Sequence, residues 1–159
     1  MRFKKRTYKN IKELVKDLWF PIRNRKLLKE VMNKGSISSA FRERLMLAVT
    51  AVDGCRYCSY FHTRQALKSG ITSAEISQLL SGDVDNCPED EAVALIYAQH
   101  WAESDAQPDP EAVSKLQQTY GAERAEAIHV MLRMIRLGNL LGNSWDYLLY
   151  RISLGNWRG

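Results

Sequence analysis

The stretch SISSAFRERLMLAVTAV, residues 36–52, spaces Phe41, Leu45, Ala48, Val49 and Val52 three and four residues apart, and from Leu45 to Val52 it is apolar almost all round. That spacing is the period of an α-helix, and a helix apolar on every side has to lie inside a bundle with other helices around it. Asp53 and Gly54 end it. The rest of the chain supplies the surrounding helices, because each periodic run carries helix punctuation and none alternates apolar with polar residues as a strand would. Asn10 caps IKELVKDLWF, which is expected to stop near Pro21, and NRKLLKEVMNKG ends at Gly35. CRYCSYFHTRQALKSG runs to Gly70, and Thr72 with Glu75 forms a capping box for SAEISQLLSG. PEDEAVALIYAQHWAES has acids in its first turn, and Asp109-Pro110 opens PEAVSKLQQTY, closed by Gly121. AERAEAIHVMLRMIRLGNLLGNSWDYLLYRIS follows, with Gly138 and Gly142 placed to bend it or to let another helix come close. The expected fold is all-α, a bundle of about seven or eight helices.

With 159 residues and 45% hydrophobic content, the chain can build one core without disulfide stapling. No run approaches the roughly 18 apolar residues of a membrane span, and the first residues lack a leader pattern. A soluble, cytoplasmic protein with no membrane partner is expected. Three cysteines cannot all pair within one chain, and two lie three residues apart, which suits redox or metal chemistry in a reducing compartment. The net charge of +5 hides a division: residues 1–44 hold 14 Lys/Arg against 4 Asp/Glu, leaving 9 against 14 for the remainder. Residues 1–35 therefore read as a basic helical arm on a core domain of residues 36–159. Such an arm attracts nucleic acid or an anionic surface, or docks on the acidic remainder of its own or a neighbouring chain. No recognition motif or aromatic-basic platform accompanies the charge, so nucleic acid is not expected as a partner.

Residues 54–62 read GCRYCSYFH. On a helix turning about 100° per residue, Cys55, Cys58 and His62 fall on one narrow face. The first cysteine sits in the opening turn, where free N–H groups favour a thiolate, and His62 follows Cys58 by one turn. If residues 38–52 and 54–69 form an antiparallel hairpin about Asp53, Glu43 is ten residues before the pivot and His62 nine after it. Their levels then differ by only about 1.5 Å. A carboxylate facing the imidazole fixes its tautomer and steadies its charge, so that His62 can take the Cys58 proton. The alternatives are inert core thiols, a Glu43 merely solvated between Arg42 and Arg44, or a metal site. One helix does not surround a tetrahedral ion, however, and completing a set would require Cys87 with His100 or His129. Cys87 reads as a free loop thiol, and His100 and His129 as packed histidines.

Glu43, Cys55, Cys58 and His62 reproduce E-x11-C-x2-C-x3-H within RERL…AVDGCRYCSYFHTRQALKSG, which resembles the core motif of the AhpD-like, or carboxymuconolactone decarboxylase, family. The likeness is specific over residues 41–70 and looser over 88–104 and 110–150, where Asn143-Ser144-Trp145-Asp146 is similar to the asparagine-rich end of the family core. The arm before residue 36 lies outside it. The resemblance implies an AhpD-like helical bundle, assembled as trimers or hexamers, and thiol-dependent alkylhydroperoxidase or disulfide-reductase activity. It maps the proton relay onto Glu43, Cys58 and His62, with Cys55 as disulfide partner, while Tyr57 stands where a second histidine is often found. A peroxide or disulfide substrate and an external lipoyl- or thioredoxin-like thiol donor are expected. No glycine motif for a nucleotide cofactor is present, so no bound cofactor is expected. The alternatives are a decarboxylase-like lyase using Glu43 and His62 as acid and base, and a binding or assembly protein acting through its basic arm.

Overall fold

The computed structural model describes residues 3–33, 35 and 37–157; Met1, Arg2 and Lys34 of the basic arm and Ser36 lie outside the described residues. Seven helices follow one another among them: α1 (Ile11–Arg23), α2 (Arg25–Asn33), α3 (Ser39–Asp53), α4 (Arg56–Lys68), α5 (Ser73–Ser81), α6 (Glu89–Glu103) and α7 (Pro110–Ile152). No strand occurs among the described residues. The fold is the expected all-α bundle.

Helix α3 is its axis. Ser38 caps it by accepting the Phe41 N–H at 3.0 Å, and Gly54 closes it in the left-handed region at φ 70°. Phe41, Leu45, Leu47, Ala48 and Val49 are fully buried, and α3 packs against α4, α5, α6 and α7. Two apolar clusters share it. Phe41, Leu45 and Val49 meet Leu95, Ala98, Ile128 and Leu132 on one side, while Leu47 meets Ala66, Ile76 and Leu79 on the other.

Three local expectations are modified. Helix α1 runs through Pro21 to Arg23, because a proline in the last turn forfeits one intrahelical bond while Asn24 still donates to the Phe20 carbonyl at 3.0 Å. The capping box of α5 is half made. Thr72 accepts the Glu75 N–H at 3.2 Å, but the Glu75 carboxylate turns away to Arg44 at 2.5 Å, since Arg44 is largely buried and needs a counter-charge. The break expected at Gly121 is present, with φ 75° and ψ 164°, so α7 is two helices end to end; its path is helical through Gly138 and Gly142. The basic arm lies against its own chain. Phe20, Leu27, Leu28 and Val31 pack on the core, and Lys5 and Lys9 pair with Asp146 at 3.0 Å and Asp105 at 2.5 Å.

Candidate functional site

The hairpin of α3 and α4 brings Glu43 and His62 together. Glu43 Oε2 lies 2.7 Å from His62 Nδ1, and its Oε1 accepts from Arg42 Nε at 3.2 Å. Glu43 is only 3% exposed, which removes the reading of a solvated residue between two arginines. With Nδ1 donating to the carboxylate, the lone pair of the ring sits on Nε2. His62 and Cys58 line one pocket of about 380 Å³ with Met46, Phe61, Met134 and Ile135, so imidazole and thiol face a common, mostly apolar space. The structure describes no hydrogen bond from His62 to Cys58.

Cys55 is placed differently from the expectation. It is not the first helical residue but the N-cap of α4, with extended backbone (φ −78°, ψ 109°), and its Sγ accepts the Cys58 N–H at 3.4 Å. It is fully buried, whereas Cys58 is half-buried and reaches the pocket. The thiols polarise each other. A hydrogen bond from the Cys58 side chain, working against burial and helped by backbone N–H groups and the charge of Lys5, draws the Cys55 thiol down to about 7. The same hydrogen bond, then burial and the charge on Cys55, push the Cys58 thiol up. Of the two coupled sulfurs the thiolate is favoured on Cys55, chiefly by the hydrogen bond from Cys58, with the backbone N–H groups at the N-cap helping.

Helix α7 supplies the back wall. A Cβ on Gly142 would stand 2.7 Å from Cys55 Sγ, so only glycine lets α7 pass the N-terminus of α4 at this distance. Asn139 Nδ2 donates to Asp53 Oδ2 at 3.1 Å and Asn143 Nδ2 to the Asp53 carbonyl at 2.8 Å, pinning the turn before Cys55. Burial pushes the Asp53 carboxyl up to about 6, against the Asn139 hydrogen bond. One turn on, buried Asp146 receives Lys5 at 3.0 Å, Arg56 at 3.0 Å, the Tyr57 hydroxyl at 2.8 Å and Trp157 Nε1 at 3.3 Å. Against the cost of burial, these donors hold its carboxyl below the usual range. Tyr57 thus braces the α4–α7 junction rather than bonding to His62.

The other candidates lie elsewhere. Burial pushes the half-buried Cys87 thiol up to about 11. His100 pairs with Asp109 at 3.1 Å, and His129 Nε2 meets the Tyr97 hydroxyl at 3.1 Å beside a separate cavity of about 640 Å³. Among the described residues no three His, Cys, Asp or Glu side chains assemble as a metal set. Sequence reasoning missed Asp53, Asn139, Gly142, Asp146 and Lys5 as parts of the site. The available signal was the polar series Asn139, Asn143 and Asp146, which recurs at helical spacing and so shares one face of α7.

Comparison with known proteins adds one result. A model of the carboxymuconolactone decarboxylase family matches residues 20–99. The match begins inside the basic arm, so α2 falls within it, and ends in α6, short of the looser likeness over 110–150. No curated protein and no solved structure matches the chain.

Proposed function

Since the chain belongs to the carboxymuconolactone decarboxylase family, we propose that it is a thiol-dependent peroxidase or disulfide oxidoreductase in which Cys58 attacks, Cys55 resolves, and His62 held by Glu43 manages the proton. The observation that carries this reading is the buried Glu43–His62 pair at 2.7 Å, opening onto the pocket that Cys58 lines. Proton transfer from Cys58 to the Cys55 thiolate or to His62 Nε2 creates the nucleophile. The Cys58 thiolate takes the distal oxygen of a hydroperoxide, the O–O bond breaks, and the departing alkoxide collects a proton to leave as an alcohol. Cys55 then attacks the Cys58 sulfenic acid, a disulfide forms and hydroxide leaves as water. The dithiol has lost two electrons, which an external dithiol of lipoyl or thioredoxin type must return.

The asymmetry of the pair suits both halves of such a cycle. A reductant reaches Cys58 from the pocket, and the low-pKa sulfur of Cys55 is the better leaving group when the disulfide is opened. Association into a homo-oligomer, a trimer or hexamer, belongs to the same proposal. Its support is an exposed apolar row on α7, formed by Leu141, Trp145, Leu148 and Ile152 at helical spacing.

Peroxide consumption with a dithiol donor, measured for wild type, Cys55→Ser and Cys58→Ser, tests the reading. Turnover in wild type alone is expected, and equal rates in all three would remove it. A lyase using only Glu43 and His62 would instead keep its turnover after thiol alkylation.

A further inference from the structure

We propose that α1 is an in-plane anchor that seats the protein on an anionic lipid surface. The helix is amphipathic, and the larger part of its apolar surface points away from the bundle. Ile11, Val15, Leu18, Trp19 and Ile22 recur at helical spacing, which at about 100° per residue gathers them into one stripe. All five are exposed, by 42–73%, and no residue of α1 is buried. The face turned inward carries both acids beside Phe20, which packs on the core. Glu13 and Asp17 are drawn onto Arg136 of α7 at 2.8 and 2.5 Å, and the stripe of five apolar residues is left in water.

Charge decides what covers the stripe. Because Arg136 engages both acids of α1, the outward surface carries only cations on an apolar ground. Lys16 and Arg23 line a shallow pocket with Trp19 and with Arg133 of α7, whose guanidinium lies over the Phe20 ring, and exposed Lys12 precedes Lys16 by one turn; none of the four has an ion pair among the described residues. Two such stripes pressed together would gather two rows of cations with no acid between them, which disfavours a second copy as the occupant. The exposed row on α7, from Leu141 to Ile152, has no comparable edge of unpaired cations. A bilayer rich in anionic headgroups satisfies every part of the α1 surface: the stripe enters the headgroup boundary, Trp19 sits at the interface, and the lysines extend to the phosphates. Among the described residues no helix is long and apolar enough to cross a membrane, and a 13-residue helix, about 20 Å long, lies flat. The expectation of no membrane partner rested on the lack of a spanning segment, which does not bear on this mode of contact.

The test is co-sedimentation of the full chain with phosphatidylcholine vesicles, plain or containing about one-third phosphatidylglycerol, alongside assembled mass by light scattering. Binding to the anionic vesicles alone is expected, weakened by salt. Lys12→Gln and Lys16→Gln should each lower it about fivefold, and Trp19→Ser or Val15→Asp by more than about tenfold, with helicity and mass unchanged. Equal binding to both vesicle types, binding to neither, or a fall in assembled mass with Val15→Asp, which would assign the stripe to a second copy, overturns the proposal.

Discussion

Replacing Gly142 by alanine adds one methyl group where α7 passes the thiols. That carbon would lie 2.7 Å from Cys55 Sγ and 3.2 Å from Tyr57 Cδ2. The first separation is about 1 Å inside an ordinary contact, and overpacking of this kind costs about 1–3 kcal/mol. Alanine returns up to about 1 kcal/mol of helix propensity, so a net loss of up to about 2 kcal/mol is expected. Gly138, one turn earlier on the same helix, is the control. Its added Cβ would meet Cys58 Sγ at 3.6 Å, an ordinary contact, so Gly138→Ala keeps the propensity gain without the overlap. Thermal melting should therefore place Gly138→Ala above wild type and Gly142→Ala several degrees below it. Cys55 can relieve the overlap only by rotating off its N-cap position. Doing so loses the backbone N–H groups that help to stabilise its thiolate, so its pKa should climb from about 7 in an ultraviolet thiolate titration. A Gly142→Ala protein that melts with Gly138→Ala and titrates like wild type would refute this reasoning.

Asp53 is held at a folded pKa of about 6, above its ordinary 3.8, so the folded state binds the proton more tightly than the unfolded state. Its contribution is most favourable below the ordinary value and is lost as pH rises through about 6, so Asp53→Asn should be more stable at neutral pH by a few kcal/mol and should lose that part of the pH dependence in denaturant melts. Arg136→Met strands Glu13 and Asp17 under α1 and should cost about 3 kcal/mol in urea unfolding. Lys5→Met removes a donor to Asp146 and a positive charge that favours the Cys55 thiolate, so the Cys55 pKa should rise in a thiolate titration. Glu43→Gln keeps the side-chain volume but not the charge, and should lower peroxide turnover about a hundredfold while leaving the helical spectrum unchanged.

The contact between Glu43 and His62 was legible because it depends on local arithmetic. Two helices meeting at Asp53-Gly54 must bring residues equally far from the turn to the same level, and the bundle itself follows from helical period and capping residues. What was not legible depends on distant contacts or on single dihedral angles. Whether Cys55 starts α4 or caps it turns on one φ/ψ pair, and capping is what places its Sγ to accept the Cys58 N–H. Asn139 and Asn143 reach Asp53 across 86 and 90 residues of chain, and no periodicity reports such a bond. The outward face of α1 was equally hidden. An amphipathic pattern gives two faces, and it is Arg136, far along the chain, that draws both acids of α1 inward.

In the proposed cycle Cys58, facing the pocket with His62, attacks the peroxide and is later attacked by the reductant, while Cys55 resolves from behind it. Mass spectrometry after one equivalent of hydroperoxide, with a sulfenic-acid trap present, tests it directly on the two single serine variants. A trapped sulfenic acid is expected on Cys58 in Cys55→Ser, and an unmodified thiol on Cys55 in Cys58→Ser. Trapping on Cys55 at a comparable rate, or on neither sulfur, would contradict it.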